Sequence, residues 1–195
     1  MRNGLVGIGD LPSGLWNYPG DLRTVLEMYV AAGGRWPADW YVHDADSLLS
    51  SDLTGDELAR LWFALSGGDH RMTMDGREWI ALVRATARSR GGDSTQADRF
   101  VWKGDDPEVI ARVREQIGLF TRHPDHAFEG DETAVLALLG RLAGRHADLA
   151  FRLYLALCAQ YYMVFSVVAY QAMVDLAWDL GRPEDLLDGL LRTDP

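Results

Sequence analysis

Apolar residues recur every three or four positions along most of this chain, and glycine, proline and acid-rich stretches interrupt them. That pattern predicts a succession of amphipathic helices. A first helix is expected from Asp21 to about Ala32, with Leu22, Val25, Leu26, Tyr29 and Val30 in line and Gly33-Gly34 at its end. A second starts at Thr54, where Thr-Gly-Asp-Glu sets Thr54 and Glu57 as a reciprocal capping box. Its buried stripe is Leu58, Leu61, Trp62 and Leu65. A third covers roughly Asp75 to Arg90 on Trp79, Ile80, Val83 and Ala87. A fourth opens at Asp106-Pro107, an N-cap followed by a proline whose missing amide is not needed there, and presents Val109, Ile110, Val113, Ile117 and Phe120. A fifth runs from Asp131 to about Ala143 on Val135, Leu138, Leu139 and Leu142.

The sixth is expected as one long helix, about Ala147 to Leu180, roughly 50 Å if unbroken, stopped by Gly181 and Pro183. A short seventh, Pro183 to Arg192, carries Leu186, Leu187, Leu190 and Leu191. Two stretches lack a helical pattern, Trp36–Ser51 and Gly91–Asp105. Short strands are expected there, around Trp40–Val42 and Phe100–Trp102, with a third at Leu5–Ile8. The fold class expected is mainly α: a single domain over residues 1–195, an irregular bundle of about seven helices around one long central helix, with a minor short-strand element.

Within the long helix, Leu153 to Tyr170 contains no formal charge and has Gln160 as its one strongly polar side chain. Its length would suit a membrane span. Against a span stand Arg152 and Gln160, which would lie in or near hydrocarbon, and the amphipathic continuation through Gln171, Asp175 and Asp179. A helix that is apolar all round also forms the centre of a bundle, and that is the reading adopted. A homodimer seam along it is a further expectation. The alternative is a ligand pocket in which Tyr154, Gln160, Tyr161, Tyr162 and Phe165 place a few polar groups in apolar surroundings.

Charge narrows the partners. The 195 residues carry a formal net charge of −10. Nucleic acid is not expected to bind such a surface, and a basic protein is. The one cysteine, Cys158, lies in the apolar run, which fits a reducing cytoplasm and a packed thiol. The N-terminal MRNGLVGIGDLPSGLW lacks the apolar core of a signal peptide.

Candidate chemistry is sparse. Each of the five histidines has an aspartate within two positions. The best groups are His43-Asp44-Ala-Asp46 and His123-Pro-Asp-His126. If folding joined them, His43, Asp46, His123 and His126 would supply the imidazole and carboxylate of a divalent-metal enzyme, although the spacing matches no metal motif. There is no Gly-x-Ser-x-Gly elbow and no phosphate-binding glycine loop. No cofactor is expected otherwise. Seven tryptophans are many for this length. Trp36 and Trp40, beside Asp44 and Asp46, are expected to form an acidic aromatic surface for an arginine- or lysine-bearing partner. The leading expectation is therefore a cytoplasmic acidic protein acting through protein contact, such as neutralisation of a basic partner by an immunity protein or antitoxin. A small-molecule-binding or enzymatic helical protein and a metal-dependent enzyme are the alternatives.

Overall fold

The computed structural model describes residues 35–67, 74–93, 95, 103–181, 187 and 190–192. Among them are seven helices: α1 (Arg35–Ser50), α2 (Gly55–Leu65), α3 (Gly76–Ser89), α4 (Pro107–Gly118), α5 (Glu132–Ala143), α6 (Ala147–Gln160) and α7 (Val167–Asp179). Two short strands, β1 (Val164–Phe165) and β2 (Leu191–Arg192), pair in parallel. The fold is mainly α. The expected helix Asp21–Ala32 and the expected strands at Leu5–Ile8 and Phe100–Trp102 lie outside the described residues.

Helices α2 to α5 start where their caps place them. Thr54 and Glu57 form the reciprocal capping box, and the Asp75, Asp106 and Asp131 side chains each accept a first-turn amide. Each cap answers a donor that the helix itself cannot satisfy. The N-termini of α2 and α3 meet at two glycines. A Cβ on Gly76 would lie 2.3 Å from the Gly55 carbonyl oxygen, so a larger residue there would push the helices apart. The Arg77 guanidinium donates to the Leu53 and Leu49 carbonyls and ties α3 to the end of α1.

Three expectations are corrected. The first is Trp36–Ser51, expected as a loop with a strand at Trp40–Val42, which is helix α1. Ala38, Tyr41, Val42, Ala45 and Leu48 repeat at helical spacing and are all buried. Pro37 does not prevent this, because it sits in the first turn, where amides have no helical acceptor.

The second is the long helix Ala147–Leu180, which is two helices. α6 ends at Gln160 with Tyr161 as its C-cap, and Tyr162 adopts a left-handed φ of 52°. The Met163 amide then donates back to the Cys158 carbonyl at 2.9 Å, the bond that closes a Schellman end. Ser166 restarts the chain as an N-cap, its Oγ accepting the Ala169 amide at 3.2 Å. The third concerns Pro183–Arg192: the described residues Leu191 and Arg192 are extended as β2, and the larger part of that segment lies outside the described residues.

α6 is the centre of the bundle. It lies against α2, α4 and α5, and every residue from Ala147 to Cys158 is buried. Phe151, Leu153 and Leu157 are fully enclosed. Each such side chain contributes about 1.5–3 kcal/mol relative to leaving it in water. α7 packs chiefly on α4 and β1 and leaves much of its surface exposed. None of the described helices is long and apolar enough to cross a membrane.

Candidate functional site

Two regions stand out once the chain is folded: a buried ionic group with a cleft beside it, and an exposed apolar face where α6 gives way to α7. The ionic group is built on Arg152. Its Nη1 donates to Asp44 Oδ2 at 2.8 Å, and its Nε and Nη2 reach Asp148 Oδ2 at 3.1 and 3.0 Å. Asp148 is one helical turn before Arg152, whereas Asp44 comes from α1. Trp40 covers the guanidinium, its ring centroid 5.2 Å from Cζ. Burial works against the charge on Arg152, but Asp148 and Asp44 outweigh that cost and push its pKa up. The group locks α1 onto α6.

Beside it lies a cleft of about 270 Å³, lined by His43 and Ser47 of α1, Asp105 before α4, and Arg145, His146 and Asp148 at the start of α6. His146 occupies the N-cap position of α6 without making a side-chain cap bond. Its pKa is lowered by burial first, then by His43 and Arg145. The cleft can present an arginine and two imidazoles to a small polar molecule.

The second region begins at Tyr161. That side chain is buried, stacks on Phe128 at 4.5 Å and donates to the Ala64 carbonyl at 3.0 Å. Tyr162 turns outward and stacks on His126 at 4.4 Å. Val164, Val167 and Val168 follow, exposed by 42%, 54% and 80%, with Trp178 at 51% further along α7. A run of large apolar side chains at such exposure is the kind of surface that binds.

The residues singled out in the sequence are distributed differently from the expectation. Trp40 and Asp44 are not surface contacts: both are buried, Asp44 completely, because Arg152 draws them inward. Asp46 is half-buried and pairs with Arg84 and Arg88 of α3. The Trp36 side chain lies outside the described residues. Of the tyrosine-lined set, Tyr154, Tyr161 and Phe165 are interior packing groups, Gln160 rests against Gly67, and only Tyr162 faces outward.

The proposed metal ligands do not converge. His123 and His126 are neighbours, with ring centroids 5.7 Å apart. His43 instead packs edge-on against Trp40, and Asp46 is taken by arginines. Among the described residues no group of three or more His, Cys, Asp or Glu side chains is placed to hold a metal ion. Burial pushes the Cys158 thiol pKa well up, and its Sγ lies 3.5 Å from Met163 Sδ, so it is an inert packing group.

The sequence reading missed Arg145, Arg152 and the exposed valines. The Asp148–Arg152 spacing of four was a usable signal for the first ionic contact. Ser166 was the signal for a helix start that exposes Val167 and Val168. Comparison with protein-family models, curated proteins and solved structures finds no match to this chain.

Proposed function

We propose that this protein acts by binding another protein, as an acidic accessory chain of the cytoplasm. Neutralisation of a basic partner, in the manner of an immunity protein or antitoxin, is the form its charge favours. The observation that carries the reading is the exposed apolar run Tyr162, Val164, Val167 and Val168 on a chain of net charge −10. Val168 is mostly outside its own fold, and the other three are about half exposed. Covered by a partner, they would contribute about 25 cal/mol per Å² of apolar surface removed from water. The direct test is to recover tagged full-length protein from its own cells, purify any protein that accompanies it, and remix the two. A stoichiometric complex by native mass spectrometry and calorimetry is the expected result. If no accompanying protein reconstitutes a complex, the reading is abandoned.

A second reading has the cleft behind it. Arg145 and two histidines around about 270 Å³ suit a small acidic ligand. Screening small carboxylates and phosphates by thermal shift, against wild type and Arg145→Ala, separates the two readings. A ligand that stabilises the wild type alone supports the cleft, and no shift from any of them removes it.

A further inference from the structure

The outer face of α7 narrows the chemistry of the partner. Val164, Val168, Gln171, Asp175 and Trp178 succeed one another at spacings of four, three, four and three. From Val168 onward that spacing sets the side chains in one stripe about 15 Å long, and Val164 belongs to β1, before the helix begins. All five are exposed. The stripe is apolar at both ends and carries a carboxylate between them. Gln171 Nε2 donates to Asp175 Oδ1 at 3.0 Å along the stripe.

Asp175 differs from its neighbour one turn on. Asp179 is paired with both Lys103 and Arg112, and these cations hold its pKa down. Among the described residues no cation pairs with Asp175. A carboxylate between exposed valines and a tryptophan, on a chain of net charge −10, is complementary to a cation on an apolar carrier.

We propose that this stripe docks an amphipathic basic helix of the partner protein. Apolar side chains of that helix cover Val164 and Val168, and its arginine or lysine reaches Asp175 beside the half-exposed Trp178. The inference rests on the protein-binding reading above and assigns it a site and a partner chemistry. A second copy of this chain fits less well. Self-pairing along the stripe would bring two chains of −10 together and add two carboxylates to the seam.

The test uses full-length protein and a fluorescent helical peptide of about 18 residues, long enough to match the stripe. The peptide carries leucines four apart and arginines one and two turns further along the same face, and a control peptide has glutamate for arginine. Anisotropy should report saturable binding of the basic peptide, weakened by salt, and none of the control. Val168→Asp and Asp175→Lys should each weaken binding about tenfold or more. Both positions are exposed, so unchanged thermal melts of these variants are expected and exclude unfolding as the cause. Failure of the wild type to saturate, or equal binding by both variants, overturns the proposal. So does a wild-type dimer in native mass spectra that Val168→Asp dissolves, since a second copy would then own the face. A reconstituted protein partner that binds wild type and both variants alike overturns this site and leaves the protein-binding reading standing. Absence of any reconstituted partner counts against the parent reading instead.

Discussion

Helices α6 and α7 draw on the same apolar alphabet and have opposite fates. In α6, FRLYLALCAQ closes a helix with twelve of its fourteen residues buried. In α7, VVAYQAMVDLAWD buries four of thirteen. The difference comes from their neighbours: α6 is enclosed by α2, α4 and α5 and pinned to α1 through Arg152, whereas α7 packs chiefly on α4 and β1. An apolar helix therefore marks surface that must be covered, but not what covers it. In α6 the cover is the rest of this chain, and in α7 much of the surface stays exposed.

The largest effect that would sharpen this contrast lies at Arg152. Arg152→Met leaves Asp44 and Asp148 buried without their cation and should cost about 3–5 kcal/mol, read from the urea midpoint. A cost under about 1 kcal/mol would mean that packing alone holds α1 on α6. Phe151→Ala, in the fully buried part of α6, should cost a similar amount, about 3–5 kcal/mol. Val168→Ala on α7 should stay within about 0.5 kcal/mol in the same titration. Comparable losses at the two positions would break the comparison.

Smaller effects test the joint and the surface. Ser166→Ala removes the cap that restarts the chain and should cost about 1 kcal/mol, with helix content falling at α7 in amide-exchange measurements. The smallest concerns acid stability. Arg141, with the Thr54 amide, lowers the Glu57 pKa from 4.5 to about 2. A depressed folded-state pKa means that the unfolded chain takes up the proton first. The stabilisation is thus present above pH 4.5 and is lost as pH falls from 4.5 towards about 2. Glu57→Gln keeps a capping-box side chain but removes that slope. Identical acid profiles for the two proteins would show the pair to be fully screened by water.

Much of the helical framework was legible because capping is local. Thr54, Asp75, Asp106 and Asp131 each lie within three residues of the amide they satisfy, so the four helix starts could be read directly. Helix α1 was missed because Trp-Pro-Ala-Asp resembles a turn, although the spacing of Ala38, Tyr41, Val42, Ala45 and Leu48 was helical throughout. The α6–α7 break was missed because it has neither glycine nor proline. Tyr162 takes the left-handed position that glycine usually fills, and its stacking on His126 accompanies that conformation.

The candidate site was less legible, for a related reason. Asp148 and Arg152 are four apart and readable as neighbours on one helix, but Asp44 is 108 positions from Arg152. No local rule distinguishes that buried aspartate from Asp46, two residues on, which faces the arginines of α3. By itself the sequence determined the mainly α class, four helix starts, the apolar character of residues 153–170 and a net charge of −10, because these depend on spacing, caps and summed charge. Only the tertiary structure decided that Trp40 and Asp44 turn inward, that the long apolar run divides at Tyr162, and that Val164, Val168 and Trp178 remain outside. Those outcomes depend on contacts between segments far apart in the chain, where burial and ion pairing act only after the helices have met.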